Sequence, residues 1–310
     1  MTKIVSNEYT AKKGNVALYM FRKRLAKSAD SPPESKPIVF LVHGSSMSAR
    51  CGFDLTVPGQ EDYSLMDVLA SYGFDVWTMD HEGYGRSDHT DGNSDIAAGV
   101  EDLKAGTELI RKETGIERYA FFGQSSGALR AGAFANHCPE QVERLVLAAL
   151  VWTGKGSPTL AKRREQEEKW RTNTRRAVDL EFYQSIHNRD KPGLSDPAVP
   201  FAMAEEEKPY GGTVPTGTYY DMCAKLPQVD PRKIFCPVMI IRGEYDGIAS
   251  MEDVIAFYSE LPNNDKHFVT LSGQAHSSQL GINRHRFWHV LHAFLTLPPR
   301  RDDQVGSEAR

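Results

Sequence analysis

Short apolar runs recur along the chain and predict strands that are buried on both faces. The runs are rich in Val, Ile, Leu and Phe and are bounded by polar or glycine-containing segments, as is typical of parallel sheets. A pair of strands is expected within residues 7–25. Six further strands are predicted at 37–42, 74–79, 119–122, 145–151, 238–241 and 267–271.

Segments with helical spacing separate most of these strands. In residues 96–113, for example, Val100, Leu103 and Ile110 recur at intervals that place them on one helix face. Strand and helix alternating in this way favour a sheet with right-handed crossovers. We therefore predict an α/β fold with a mostly parallel eight-stranded sheet, flanked by helices at 65–72, 96–113, 128–136, 254–261 and 287–297.

The alternation stops after the sixth strand. Residues 153–235 contain charged and aromatic stretches but no clear buried strand, and residues 162–169 are expected to form one exposed helix of mixed charge. We interpret this region as a mostly helical insertion. The predicted division is a first core part at 1–152, the insertion at 153–235, a second core part at 236–297 and a flexible tail at 298–310.

Composition excludes several classes of protein. The chain has 310 residues, of which 40% are hydrophobic and 25% charged, as in ordinary globular proteins. Its net charge of −4 gives no electrostatic footprint for nucleic acid or an anionic membrane. No apolar signal core begins the chain, and its four cysteines form no C-x-x-C pair. We expect a cytoplasmic protein with free thiols and without nucleic-acid or membrane partners. The sequence leaves the oligomeric state open, with monomer and homodimer as the alternatives.

The strongest chemical motif is Gly123-Gln124-Ser125-Ser126-Gly127, a G-x-S-x-G sequence between a predicted strand and a predicted helix. That context is typical of a strained turn that presents a nucleophilic serine. Glycines on either side remove side chains that would collide within the turn. Ser125 is therefore the candidate nucleophile, at a helix N-terminus that favours developing negative charge.

A second motif, His43-Gly44-Ser45-Ser46, follows an early buried strand. A tetrahedral oxyanion needs at least two aligned N–H donors. We expect one from Ser126 and the other from Ser45, with Ser46 as the alternative, and we assign His43 a structural role.

Two later strand ends supply candidates for an acid and a base. Asp246 follows the strand at 238–241, with Glu244 as a nearby alternative, and His276 follows the strand at 267–271. The order Ser125, Asp246, His276 along the chain is the order expected for this type of sheet. His276 would accept the serine proton while Asp246 orients the imidazole.

With these motifs, the sequence resembles the α/β-hydrolase superfamily over about residues 15–152 and 236–297. The loop from Asp80 to Ser87, D-x-x-G-x-G-x-S, adds to the resemblance. The resemblance implies an esterase-like member with a serine nucleophile, because dehalogenase and epoxide-hydrolase members use aspartate at that position. It also implies that the helical insertion after the sixth strand is a cap domain.

The expected activity is hydrolysis of a small to medium carboxylic ester through an acyl-enzyme, without a cofactor or metal. The same triad would also serve a carbon–carbon bond hydrolase, a lactonase or a thioesterase, and the fold also hosts small-molecule receptors that do not turn over their ligand. Candidate substrate-binding residues are Ser46, Trp152, Tyr219 and Met222.

Two further groups of side chains have alternative interpretations. Arg171, Arg175 and Arg176 are candidates for binding a substrate carboxylate, although a solvated helix face would explain the same pattern. Helical spacing of three histidines more often marks a solvated face than a metal site, and this applies to His285, His289 and His292.

Overall fold

The computed structural model describes residues 3–26 and 36–299. Residues 300–310 of the predicted tail lie outside the described residues, as does the segment 27–35 between the second and third strands. The strands that the structure describes are β1 (Ile4–Lys13), β2 (Val16–Leu25), β3 (Ile38–Val42), β4 (Asp75–Met79), β5 (Tyr119–Gln124), β6 (Val142–Ala148), β7 (Arg175–Ala177), β8 (Thr213–Pro215), β9 (Val238–Gly243) and β10 (Lys266–Leu271).

Eight of these strands form one central sheet in the order β1-β2-β4-β3-β5-β6-β9-β10. The six strands from β4 to β10 in this order run parallel, whereas β1 pairs antiparallel with β2 and β2 antiparallel with β4. The predicted mostly parallel eight-stranded sheet is thus confirmed. Residues of β3, β4 and β5 are all buried, which explains why these strands are continuous apolar runs.

The described helices are α1 (Ala49–Phe53), α2 (Leu65–Ser71), α3 (Ile96–Thr114), α4 (Ser126–His137), α5 (Pro158–Arg164), α6 (Glu167–Thr172), α7 (Leu180–Asn188), α8 (Ala198–Glu207), α9 (Gly217–Ala224), α10 (Met251–Glu260) and α11 (Arg284–Leu295). Alternate residues of β3 point to opposite faces of the sheet, so Phe40 packs in the same core as α3 and α4, whereas Leu41 packs with α2 and α11. The sheet therefore lies between two helical layers. No helix in the part of the chain that the structure describes is long and apolar enough to cross a bilayer.

The segment between β6 and β9 contains α5 to α9 and the two-stranded ribbon β7–β8, and none of these elements pairs with the central sheet among the described residues. A separate apolar cluster joins this segment to loops of the core. In that cluster, Tyr183 of α7 and Met203 of α8 pack with Tyr84 and with Met47, which follows β3. The segment therefore covers the end of β3.

Several predicted elements differ from the structure at their ends, and two of the differences have a clear physical cause. Residues 162–169 do not form one helix, because α5 ends at Arg164 and α6 begins at Glu167. The buried Trp170 donates a hydrogen bond from its indole N–H to the Arg163 carbonyl at 3.0 Å, which uses an acceptor at the end of α5. The strand predicted at 145–151 begins earlier and ends at Ala148, since Ala149 has a positive φ of 53° that breaks the extended backbone.

Candidate active site

Ser125 occupies a strained turn between β5 and α4. Its φ of 59° and ψ of −122° lie in a region that residues with a side chain rarely adopt. The Ser125 N–H donates to the Ala148 carbonyl at 2.9 Å, which holds the turn against the neighbouring strand. This hydrogen bond helps to hold the strained backbone of Ser125, and the backbone conformation sets the direction of the Ser125 side chain.

The two motif glycines permit close approach of the backbone around this turn. A Cβ on Gly123 would lie 2.4 Å from the Gly127 carbonyl oxygen. A Cβ on Gly127 would lie 2.1 Å from the Val42 carbonyl oxygen, at the end of β3. Both contacts are with backbone, which cannot move aside as a side chain could. The glycines therefore let α4 begin directly beside the end of β3.

The structure brings together the three side chains that the sequence predicts as a triad. The Ser125 Oγ lies 2.9 Å from His276 Nε2, and His276 Nδ1 lies 2.9 Å from Asp246 Oδ1. Since a carboxylate only accepts, Nδ1–H donates to Asp246 and leaves Nε2 to accept the serine proton. The imidazole thus has the tautomer that a general base requires.

Asp246 is fixed in its ionised form. Burial alone would raise the pKa of its carboxyl group, but His276 and the N–H groups of Ile248 and Ala249 lower it below its usual value. These N–H groups donate to Oδ1 at 2.9 and 3.0 Å. The alternative acid, Glu244, instead accepts from Gly273 N–H at 2.8 Å on an exposed loop. The carboxylate that contacts His276 is therefore Asp246.

The loop after β3 lies against the turn that carries Ser125. A Cβ on Gly44 would be 3.4 Å from the Ser125 Cβ, so the loop backbone passes close to Ser125. His43 is buried, donates from Nδ1 to the Gly44 carbonyl at 2.7 Å, and accepts at Nε2 from the His81 N–H at 3.0 Å. Burial lowers the pKa of His43 well below its usual value, which keeps the ring neutral. His43 thus supports the loop that carries Ser45.

The candidate oxyanion donors flank Ser125. Ser126 is the first residue of α4, where the N–H groups of the first helical turn lack intrahelical partners. Ser45 lines the cavity that also contains Ser125 and His276. The Ser45 carbonyl accepts from Arg176 Nη2 at 2.8 Å and from the Tyr84 hydroxyl at 3.3 Å, which fixes the orientation of its peptide.

The sequence of residues 33–280 matches the family described as serine aminopeptidase, S33. The chain belongs to this family of α/β-hydrolases. The predicted α/β-hydrolase membership is therefore confirmed, and the protein is a hydrolase of that class. No curated protein sequence matches the chain.

Solved structures of other hydrolases have the same fold. The 2-hydroxy-6-oxo-6-phenylhexa-2,4-dienoate hydrolase from Rhodococcus sp. strain RHA1 is 17% identical with a TM-score of 0.66, over 94% of this chain and 99% of that one. An E-2-(acetamidomethylene)succinate hydrolase is 16% identical with a TM-score of 0.68, over 94% and 99% of the chains. A thioesterase domain from the curacin biosynthetic pathway is 16% identical with a TM-score of 0.62, over 94% and 99%. At these identities the likeness concerns the fold.

The loop from Asp80 to Ser87 has a structural role in this hydrolase. Asp80 is fully buried, and its carboxylate accepts from Ala49 N–H at 2.7 Å and from Arg86 N–H at 2.8 Å. A Cβ on Gly85 would lie 2.3 Å from Asp80 Oδ2, so the motif glycine leaves room for the carboxylate. The motif therefore organises this loop through the buried Asp80 carboxylate.

The cavity beside Ser125 has a volume of about 30 Å³. The four substrate-binding residues predicted from the sequence differ in whether they line this cavity. Ser46 lines the cavity; the buried Tyr219 does not, but its ring lies 4.0 Å from the guanidinium carbon of Arg176, which donates to Ser46 Oγ. Trp152 and Met222 do not line it. Trp152 packs against Phe257 and donates to the Val229 carbonyl, and Met222 belongs to the apolar core.

Two arginines of the cavity wall, Arg163 and Arg189, were not predicted from the sequence. Among the predicted arginines, Arg171 is exposed and pairs with Glu168, and Arg175 donates to the Gly83 carbonyl at 3.1 Å. Arg176 alone of these three reaches the site, where its Nη2 lies 2.8 Å from Ser46 Oγ. The solvated-face interpretation is wrong for Arg175 and Arg176, which lie in β7 rather than on a helix.

The histidines of α11 do not form a metal site. His285 packs on Trp288 and His292 packs on Tyr72, so these two rings point at different neighbours. No group of three or more potential metal ligands occurs within residues 3–26 and 36–299.

Proposed function

We propose that the protein is a serine hydrolase that cleaves a carboxylic ester through an acyl-enzyme intermediate. The observation that carries the proposal is the chain of hydrogen bonds from Ser125 through His276 to Asp246, with both distances at 2.9 Å. A hydroxyl at this distance from a neutral imidazole is prepared to lose its proton as it attacks a carbonyl.

In the first half of the reaction, Ser125 Oγ attacks the ester carbonyl carbon while His276 Nε2 takes the hydroxyl proton. The carbonyl oxygen becomes an oxyanion, which accepts hydrogen bonds from the N–H groups of Ser126 and Ser45. Asp246 stabilises the imidazolium. When the tetrahedral intermediate collapses, the bond to the alcohol oxygen breaks and His276 gives that oxygen its proton.

In the second half, His276 removes a proton from a water molecule that attacks the acyl carbon. The resulting intermediate expels Ser125, which recovers its proton from the imidazolium, and the acid is released. The net reaction is addition of one water across the ester bond. No step needs a cofactor, because the side chains of the triad supply and recover every proton.

The test is turnover and labelling of the Ser125→Ala variant. We expect the variant to lose turnover of aryl esters by about 10⁴–10⁶-fold, or roughly 5–8 kcal/mol of barrier. A fluorophosphonate should label the wild-type protein at Ser125 and leave the variant unlabelled. Near-normal turnover in the variant would contradict the proposal.

The substrate panel separates ester hydrolysis from the alternatives. It contains aryl esters, a lactone, a thioester and a vinylogous diketone as the carbon–carbon substrate. Two of the similar structures are hydrolases of a dienoate and of a succinate, so the panel includes esters that keep a free carboxylate. Multiple turnovers of an ester would distinguish an enzyme from a small-molecule receptor. Stoichiometric labelling without turnover of any substrate would favour the receptor.

A further inference from the structure

Three arginines from separate elements of the segment between β6 and β9 converge beside the triad. Arg163 belongs to α5, Arg176 to β7, and Arg189 directly follows α7. Arg163 and Arg189 line the same cavity as Ser125 and His276. Arg176 contacts Ser46, another residue of that wall, at 2.8 Å. We call these three residues the arginine cluster.

The arginine cluster surrounds one phenol ring. The guanidinium carbons of Arg163 and Arg176 lie 4.1 and 4.0 Å from the centre of the Tyr219 ring. Burial opposes ionisation of this phenol, but the charges of Arg163, Arg176 and Arg189 prevail and lower its pKa to about 8. The positive potential is therefore strong enough at this point to stabilise an anion in a buried place.

Too few carboxylates contact the arginine cluster to neutralise its three positive charges. Arg189 pairs with Asp190 through two hydrogen bonds of 2.7 and 2.9 Å. Within residues 3–26 and 36–299, no carboxylate pairs with Arg163 or Arg176. Burial lowers the pKa of Arg163, as expected for a charge removed from water without a counter-ion. Nε and Nη1 of Arg176 are buried and have no partner among the described residues.

A guanidinium group that is partly withdrawn from water without a counter-ion is costly, so a ligand carboxylate that supplied the missing charge would bind favourably there. Their planar fork matches the two oxygens of a carboxylate. On the basis of the proposed function, we propose that the arginine cluster binds a carboxylate of the substrate, so that the enzyme prefers esters bearing a free carboxylate near the scissile bond. Arg163 is the principal residue of this subsite, since it lines the cavity and has no protein counter-ion.

The preference is tested with pairs of substrates that differ only in charge. Each pair is the 4-nitrophenyl half-ester of a dicarboxylic acid and the same compound with its free carboxylate capped as a methyl ester. Glutarate, adipate and pimelate half-esters cover three distances between the carboxylate and the scissile carbonyl. We expect kcat/KM of the wild-type enzyme to be at least tenfold higher for the best half-ester than for its capped form.

The Arg163→Gln variant should lower this ratio by at least tenfold. Loss of a charge-assisted bidentate contact is expected to lower binding by about 10–100-fold. Arg163→Lys keeps the charge and a similar length, so it should retain part of the preference for the half-ester. This variant also keeps the proposal testable if Arg163→Gln does not fold. The matched control is Arg171→Gln, in the same segment but exposed and paired with Glu168, which should leave the ratio unchanged. Equal ratios in the wild type and Arg163→Gln would overturn the proposal.

A binding measurement separates this proposal from the proposed function. Calorimetry with glutarate, adipate or pimelate at pH 7 is carried out on Ser125→Ala, which cannot turn over an ester by the proposed route. We expect at least one dicarboxylate to bind, and the Ser125→Ala/Arg163→Gln protein to bind it at least tenfold more weakly. Unchanged affinity would overturn the subsite. Normal turnover by Ser125→Ala would overturn the catalytic role of Ser125, while the calorimetry would still test the arginine cluster.

Discussion

At the residue scale, Tyr219 shows how its surroundings change the chemistry of a side chain. The phenol is buried against Trp170, with ring centres 5.3 Å apart, and against two guanidinium groups of the arginine cluster. Below pH 8 the phenol is mostly neutral, and above pH 8 it becomes a phenolate that neutralises part of the arginine cluster.

This ionisation predicts a pH dependence of substrate binding. For an ester with a free carboxylate, KM of the wild-type enzyme should rise several-fold as the pH increases through about 8, because the phenolate competes with the substrate for the same positive charge. The rise should be absent in Tyr219→Phe, which cannot ionise. Initial rates at substrate concentrations spanning KM, between pH 6.5 and 9.5, measure it.

Two controls limit the interpretation of this profile. Tyr220→Phe removes the neighbouring phenol, which packs with Lys225, and should keep the wild-type profile. The methyl-capped ester carries no charge and should show no comparable rise. A rise in KM that persists in Tyr219→Phe would show that another group titrates.

At the element scale, the site depends on the contact between the end of β3 and the start of α4. The turn that carries Ser125 is held from one side by the hydrogen bond to Ala148 on β6 and from the other by the approach of Gly127 to Val42. A helix that began a few tenths of an ångström farther from β3 would carry Ser125 with it. The hydrogen bond between Ser125 and His276 therefore depends on position 127 being a glycine, which has no side chain.

Gly127→Ala tests this dependence. The added Cβ would lie 2.1 Å from the Val42 carbonyl oxygen, so α4 must shift, and we expect a loss of unfolding free energy of about 1–3 kcal/mol or more. Turnover should fall as well, because Ser125 moves relative to His276. Urea denaturation and kcat are the measurements.

The matched control for this substitution is Gly52→Ala. Gly52 also lies in a helix, α1, but its added Cβ would meet only the side chain of Met47, with Sδ at 3.6 Å and Cγ at 3.7 Å, which are ordinary contacts with a flexible side chain. We expect this variant to be as stable as the wild type or slightly more stable, since alanine favours helix. A Gly127→Ala protein that matched Gly52→Ala in stability and turnover would refute the close-approach argument.

At the scale of the whole molecule, a buried carboxyl group joins the segment between β6 and β9 to the core. Glu207, at the end of α8, accepts from the Ser48 N–H at 2.6 Å, just before α1. Asp80 accepts from the next N–H, that of Ala49, at 2.7 Å. Burial raises the pKa of Glu207 to about 7, and hydrogen bonding to Ser48 only partly offsets this effect. Burial of Glu207 is therefore most favourable when its carboxyl group is protonated, although the hydrogen bond from Ser48 by itself favours the ionised form.

The raised pKa predicts how stability changes with pH. An unfolded glutamate ionises near its usual pKa of about 4.5, so between that pH and about 7 the folded state binds more protons and loses stability as the pH rises. Glu207→Gln keeps an acceptor but does not ionise. We expect its unfolding free energy, relative to the wild type, to increase by on the order of 2 kcal/mol from pH 4.5 to pH 8.

Urea denaturation at several pH values measures this difference. Glu205→Gln, on the exposed side of α8, is the control and should show little dependence on pH relative to the wild type. If the difference between Glu207→Gln and the wild type were constant with pH, Glu207 would not be the group that titrates.

The sequence determined the central sheet and the order of the three triad residues. Strands buried on both faces need continuous apolar runs, and the turn around Ser125 needs glycines at fixed spacing, so both leave a local pattern that one sequence displays. Helix boundaries were less accurate. The division of residues 162–169 into two helices accompanies the burial of Trp170, whose indole N–H bonds to the Arg163 carbonyl and whose ring packs against Tyr219, a residue distant in sequence.

Tertiary structure alone decided which side chains of the segment between β6 and β9 face the cavity. Arg163 lies in a charged stretch that resembles any exposed helix, and Trp152 has the aromatic character expected of a pocket residue. The structure places Arg163 on the cavity wall and Trp152 against Phe257. Backbone geometry leaves local sequence patterns, whereas the direction of a side chain in a packed insertion depends on which distant elements it meets.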